Sequence, residues 1–466
     1  MTSLPAKLTA CELPDFGTKD TDVTLPVEIY ANRLAALRER MAKESVDQTV
    51  IYGDREHNAN LQWLTGFDPR FEEAVAVVSL SGRVTLVVGN ECKYYATSSP
   101  ADVEIVWFPE FSLVGQPRGL PNGDLVAILQ AAGLKSGQKV GVAAWKYHLG
   151  QDGSVTRDWF DLPAFILRDI QGIAGESNVT NVADWFMAAD SGFRAICELE
   201  QMAVFEAAAT RSSDNFCQVL FGLHEGMNER DLVRRLQFDG DVLTCHAMMS
   251  SGERTVFGLA SPSFRSISVG EPVVMVYGVQ GALTCRAGVW ARSSDELPNS
   301  YSDYVDVVVK PYFKTVVKWY SAMRVGQTGG ALWQIAVDGL PTPFFNRELN
   351  PGHLIHYEEW MNSQVHPGST DQMLSGMCIQ VDIIPNPSKP YPTTNIEDGI
   401  GLADEGLRKA FAAKYPAAWD RITKRREFMI QILGIELHAD VLPFSNIPAY
   451  LPPYWLDPRQ AMSFGA

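Results

Sequence analysis

The sequence predicts two domains of different class: an α/β N-terminal domain, then an α+β domain whose antiparallel sheets are covered by helices. Three observations lead there. The 466 residues, 46% hydrophobic and 20% charged, are more than one core usually organises and have the balance of a chain that buries its apolar side chains. Between residues 25 and 185, short β-branched runs alternate with helix-like stretches, which is the pattern of an α/β domain. Between residues 190 and 430, one long amphipathic stretch is followed by strand-like runs with few helices among them, which is the pattern of an α+β core.

Residues 1–24 are polar, carry Pro5, Pro14 and Gly17, and show no sustained period, so a tail is expected. From Glu28 to Glu44, Leu34, Leu37 and Met41 recur at helical spacing, and VDQTVIYG opens the first strand. The runs EEAVAVVSL, GRVTLVVGN and ADVEIVWF read as further strands, NGDLVAILQAAG as a helix, and KVGVAAW as another strand. A long helix follows from Arg194, with Ile196, Leu199, Ala203 and Ala207 along one side. NERDLVRRL is a shorter helix in which Glu229 reads as ordinary acid placement in a first turn. Strand-like EPVVMVYGV and MCIQVDII flank a helical stretch near Ser302 to Val325. Residues 431–466 form a Pro- and aromatic-rich arm that either covers its own domain or crosses to a partner subunit.

Composition removes several function classes. With 39 basic and 55 acidic residues the net charge is −16, so nucleic acid and anionic membranes are poor partners. The basic cluster Lys424, Arg425, Arg426 lies among apolar residues at helical spacing and reads as a solvated helix face. Seven scattered cysteines without a CxxC pair read as reduced thiols of a cytoplasmic protein. The first thirty residues lack a basic stretch followed by an apolar one, and no apolar run approaches a membrane span, so neither export nor insertion is expected. No GxGxxG follows a strand, and GxxxxGK[ST], GxSxG and HExxH are absent.

The densest group of chemically capable residues is PGHLIHYEEW, with His353, His356, Glu358 and Glu359, followed by His366, Asp382 in MCIQVDIIP and Glu397 in TTNIEDGIG. Imidazole and carboxylates delivered by separate β-like segments either bind a divalent cation or perform acid–base work. Without a cation, Asp382 and Glu397 would repel at close range. That conflict is relieved by one divalent ion on His353, Asp382 and Glu397, by a shared proton, or by an ion pair with Arg254, Arg286 or Arg292.

These segments resemble the creatinase, aminopeptidase P and prolidase group. Asp54 to Val78 (DREHNANLQWLTGFDPRFEEAVAVV) is similar to the group's first-domain segment with a YLTGF-like stretch. Phe193 to Ala208 is similar to its helix entry, and Gly226 to Leu232 to its G-x-x-E-x-x-L turn. PGHLIH, GMCIQVDIIP and NIEDGIGLAD resemble its GHGIG, GMVxTxEP and RIEDxxLVT motifs, in the same order. The resemblance implies a creatinase-type N-terminal domain at 25–185, a pita-bread domain at 190–430, and a homodimer.

It also implies which residues work. His353 matches the group's His, Asp382 stands one methylene short of its first Glu, and Glu397 matches its last. The two Asp that complete a two-metal centre should fall between Val273 and Arg292. That stretch holds no acid; Tyr277 or Gly278 stands near the first position and Ala287 to Val289 near the second. Leu259 stands where an earlier His is usual, and the second His has no match, with His356 too early, His366 too late and Trp360 between them.

The expected centre therefore has His353, Asp382 and Glu397 as catalytic groups, with Tyr277, Arg286, Arg292, His356 and Trp360 around a small-molecule substrate. Either no cofactor or a single divalent ion is expected. The leading expectation is a hydrolase acting on a C–N bond of a small nitrogenous metabolite without the two-metal centre. The alternatives are a catalytically silent binding protein and a metal-dependent Xaa-Pro aminopeptidase.

Overall fold

The computed structural model describes residues 5–18, 23–118, 124–347 and 349–465. It divides into two compact units, one of residues 25–194 and one of residues 195–466 together with 1–24. Residues 1–4 and 19–22 of the expected tail lie outside the described residues. The remainder is not a free tail. Lys7–Ala10 forms a strand (β1) paired antiparallel with a strand near the C-terminus, Lys7 opposite Ser463.

The first unit opens with α1 (Val27–Lys43), whose inward face carries Ile29, Tyr30, Leu37, Met41 and, buried among them, Arg33. Arg33 donates from Nη1 to Trp63 O at 2.8 Å, which satisfies a cation that could not otherwise be buried. The sheet follows: β2 (Gln48–Gly53), β3 (Ala74–Ser79), β4 (Val84–Val88), β5 (Glu104–Trp107), β6 (Val140–Ala143) and β7 (Val179–Asn181), arranged β5-β4-β3-β2-β6-β7. β2 pairs antiparallel with β3 and parallel with β6. All six residues of β2 are buried, as expected of a central strand covered on both faces. Helices α2 (Leu125–Ala132) and α3 (Ala164–Ala174) pack on it through Ile128, Leu129, Ile166 and Ile170.

The second unit holds α4 (Leu199–Leu220), α5 (Glu229–Val233), β8 (Met248–Ser251), β9 (Pro272–Val279), β10 (Ala282–Val289), α6 (Lys310–Ala322), α7 (Gly329–Gly339), β11 (His353–Leu354), β12 (Cys378–Asp382) and β13 (Asn395–Leu402). The chain ends with α8 (Glu405–Lys414), α9 (Pro416–Gln431), β14 (Val441–Pro443) and β15 (Gln460–Ser463). Strands β8-β9-β10-β13-β12-β11 form one antiparallel sheet, and β14 pairs with the far half of β13. The tight link between β9 and β10 brings Gly281, at φ 90°, against Phe205, a conformation and approach that exclude a side chain.

Several expectations change here. Arg425 is fully buried, not solvated: it donates to Glu206 Oε1 at 2.7 Å and Thr210 Oγ1 at 2.8 Å, beside Arg421, which also pairs with Glu206. Helical spacing places 425 on the inner face, and the acid that makes this tolerable lies on α4, far away in sequence. Glu229 is likewise buried: it accepts from Ser251 N at 2.8 Å, Ser251 Oγ at 2.9 Å, Ser263 N at 2.8 Å and Ser263 Oγ at 2.7 Å, and pairs with Arg254. The C-terminal arm packs within its own unit, with Tyr450 and Trp455 fully buried and Trp455 N donating to Val289 O at 2.9 Å.

Candidate active site

Strand register sets the site. Val276 on β9 lies opposite Cys285 on β10, Cys285 opposite Glu397 on β13, and Glu397 opposite Asp382 on β12, so one row crosses four strands on one face. The next row is Val274, Ala287, Asn395. His353 on β11 pairs with Gln380, two residues from Asp382 and therefore on the same face. This face forms the floor of a cavity of about 540 Å³, lined also by Met248, Leu283, Leu349, Glu359, Trp360, Ile384 and Thr393, with the 3₁₀ segment Gly252–Phe257 and Leu259 near its mouth.

At one end the acidic groups converge. His353 Nε2 lies 3.0 Å from Glu359 Oε1, 3.8 Å from Asp382 Oδ2 and 3.9 Å from Glu397 Oε1. Its Nδ1 faces Leu354 O at 3.2 Å, and its ring stacks on Trp360 with centroids 4.1 Å apart. Both ring nitrogens therefore face oxygen acceptors, which favours the imidazolium. Burial alone would lower the His353 pKa, but Glu359 and Asp382 outweigh it and hold it above the ordinary value. Burial would raise Glu359, and the charge and hydrogen bond of His353 bring it below the ordinary value instead. Glu397 is pushed well up by burial and by the charges of Asp382 and Glu359, with which it shares a hydrogen bond. Burial lifts Asp382 to about 7, against the opposing pull of His353.

These directions describe a proton held between Glu397 and Glu359, an ion pair of Glu359 with His353, and an Asp382 that ionises near neutrality. Of the three ways to relieve carboxylate repulsion, the arginine pair is absent. Arg254 is committed to Glu229. Arg292 is half exposed and pairs with Glu225 and Glu296. Arg286 points through the opposite face of the sheet, where it meets Asp398 at 2.8 Å.

The expected substrate-contacting set is corrected accordingly. Arg286 and Tyr277 sit one residue out of phase with the cavity-facing positions of β9 and β10, so pleating turns both away. His356 is buried against Phe205 and Tyr357, away from the cavity. Trp360 does line the cavity, whereas His353 lies beneath Trp360 and behind Glu359, not on the cavity surface. Glu359 and Asn395 are the residues the sequence reading passed over. Glu359 stood in the PGHLIHYEEW segment beside the chosen His, and only its convergence on His353 distinguishes it from Glu358.

The donor set for two bridged cations does not fit this face, since the strand positions beside the acids are Val274, Val276, Cys285 and Ala287. His353, Glu359 and Glu397 offer donor atoms within 4.8 Å of one another, a set with room for one divalent ion.

Residues 33–150 match the Creatinase/Prolidase N-terminal domain family. No curated protein matches the chain in sequence. Similar solved structures include the prolidase of Pyrococcus horikoshii, at 17% identity and TM-score 0.61 over 80% of this chain and 95% of that one. A Xaa-Pro dipeptidase of Bacillus anthracis is 15% identical with TM-score 0.60 over 81% and 96%. A variant of Escherichia coli aminopeptidase P is 16% identical with TM-score 0.53 over 87% and 100%. At these identities the likeness establishes the fold: an α/β N-terminal domain followed by an α+β pita-bread domain.

Proposed function

We propose, for a chain that has the fold of the creatinase, aminopeptidase P and prolidase group, a hydrolase that cleaves a C–N bond in a small nitrogenous molecule by acid–base chemistry without a two-metal centre. The observation that carries the reading is the division of the cavity floor: His353, Glu359, Asp382 and Glu397 converge at one end, and the adjoining positions on β9 and β10 carry Val274, Val276, Cys285 and Ala287.

Each group has a role that its surroundings support. Asp382, with one oxygen free of protein partners, is positioned to accept a proton from water. Glu397, holding a proton toward Glu359, is positioned to give one to the leaving nitrogen. His353 is a positioning residue: Nδ1 is anchored at Leu354 O, Nε2 pairs with Glu359, and Trp360 stacks on its ring. A single divalent ion, where bound, would rest on His353, Glu359 and Glu397 and add electrostatic polarisation.

The test is turnover of small amides, ureas and guanidino compounds by the purified protein, beside Xaa-Pro dipeptides with manganese or cobalt added. Glu397→Gln is expected to keep the fold and lose turnover. Metal-dependent Xaa-Pro cleavage with two metal equivalents per chain would overturn the reading and favour the peptidase alternative. The chain is further taken to be a cytoplasmic homodimer, on the strength of its free thiols and the habit of the group it resembles. A monomer at micromolar concentration in light scattering contradicts the second part. No helix among the described residues is long and apolar enough to cross a membrane.

A further inference from the structure

The cavity has unmet hydrogen-bonding capacity, and all of it is of one kind. Among the described residues that line it, two buried side-chain atoms have no hydrogen-bond partner: Asp382 Oδ1 and Asn395 Oδ1. Both residues are 3% exposed. Asp382 directs its other oxygen toward His353 at 3.8 Å, and Asn395 places its amide nitrogen on Cys285 Sγ at 3.1 Å, so each presents an unused acceptor. A buried acceptor without a partner costs about 1–3 kcal/mol, more for a carboxylate. An organic ligand relieves that cost by bringing N–H or O–H donors.

Charge points the same way. Among the described lining residues the acids are Glu359, paired with His353, the proton-holding Glu397, and Asp382, whose charge has no such partner, and none is Lys or Arg. The nearest cation, His353, is already engaged by Glu359. An anionic group entering here would meet repulsion with no compensating partner, so a ligand carboxylate is disfavoured. The part of the floor on β9 and β10 is apolar and offers a ligand only surface burial.

We propose that the cavity binds a small organic cation, an ammonium or amidinium carried on an apolar body and lacking a carboxylate, with its N–H groups on Asp382 Oδ1 and Asn395 Oδ1. This narrows the substrate class of the proposed hydrolase and rests on this cavity being its reaction site. It sets the ligand apart from zwitterionic dipeptides, whose carboxylate has no partner here.

Binding is measured separately from turnover, by isothermal titration calorimetry of the full chain with benzylamine, benzyl alcohol and benzoate at pH 7.5 in low salt. Benzylamine is expected to bind at least about tenfold more tightly than benzyl alcohol, the ratio that one charge-assisted hydrogen bond supplies. Benzoate is expected to give no measurable heat. Asp382→Asn should erase most of the preference for benzylamine over the alcohol. Should that variant fail to fold, Ala287→Phe, which fills the cavity from the apolar part of the floor, should abolish benzylamine binding while leaving the near-UV circular dichroism of the chain in place. Benzoate binding as tightly as benzylamine overturns the proposal, as does benzylamine binding that survives Ala287→Phe or keeps its full preference in Asp382→Asn. Cation-selective binding without turnover of any C–N substrate keeps this inference and removes the hydrolase.

Discussion

Asp398→Ala tests whether Arg286 is structural or reaches the ligand. The Arg286 side chain is fully buried and that of Asp398 is 1% exposed. Nη2 lies 2.9 and 2.8 Å from the two carboxylate oxygens and 2.6 Å from Ile447 O, Nε donates to Tyr450 O at 2.8 Å, and Nη1 donates to Cys285 O at 2.7 Å. Asp398 Oδ2 also accepts from Ala449 N at 2.9 Å. The pair thus ties residues 447–450 to the back of the sheet that floors the cavity. Removing the carboxylate leaves a guanidinium in a dry interior with carbonyls alone, a loss of about 3–5 kcal/mol. At about 2–4 °C per kcal/mol, the transition of this unit should fall by roughly 6–20 °C in a thermal scan at pH 7. The double variant Arg286→Met, Asp398→Leu should recover only part of this, because Ala449 N–H and the carbonyl of Tyr450 lose the partners described above. A shift below about 2 °C would refute the assignment of a buried pair. So would a folded Asp398→Ala chain that has changed its affinity for benzylamine, because Arg286 would then act on the cavity.

Other outcomes follow from the same geometry. Hydrogen bonds from Ser263, Arg254 and Ser251 hold the Glu229 pKa below its ordinary value of 4.5 against the opposing effect of burial, so its stabilisation is present above that value and lost as pH falls through the lower folded one. The excess stability of the wild type over Glu229→Gln in urea titrations should therefore be full at pH 7 and shrink below about pH 4.5; a constant gap from pH 7 to pH 3 contradicts it. Glu206→Gln leaves Arg421 and Arg425 side by side in the interior and should cost about 3 kcal/mol or more by urea unfolding, whereas an unchanged midpoint would mean that the network is solvated. Arg292→Ala removes only surface pairs and should stay within about 0.5 kcal/mol, with benzylamine affinity unchanged; weakened binding would return Arg292 to the site. Elemental analysis after metal loading should find at most one divalent ion per chain, and two equivalents would mean that donors elsewhere complete a second site, since Val276 and Ala287 supply none.

Much of the architecture could be read from the residues in order, because hydrophobic period is a local property. The β-branched runs at 74–79 and 84–88 and the amphipathic stretch at 199–220 declare their class within a few residues. His353, Asp382 and Glu397 were legible for a related reason, since each sits in a short motif of a resembled group, and the structure brings all three to one face.

What the chain order could not supply was phase and partnership. Whether Tyr277 or Val276 faces the acids depends on a register that is set across β10 and β13, and a step of one residue reverses the face. Arg286 and Arg425 look alike as cations in the sequence. Their environments are decided by Asp398 and Glu206, carboxylates more than a hundred residues away that only folding brings into contact. Glu359 was in plain view in its segment, yet its role arises from the stacking of Trp360 on His353 and the turn that aims its carboxylate at the imidazole. The sequence by itself determined the elements and the residue types available for chemistry; tertiary structure decided which charges neutralise one another and which are left facing the cavity, because Coulomb and hydrogen-bond energies depend on distance through space and on burial, neither of which is a local property of the chain.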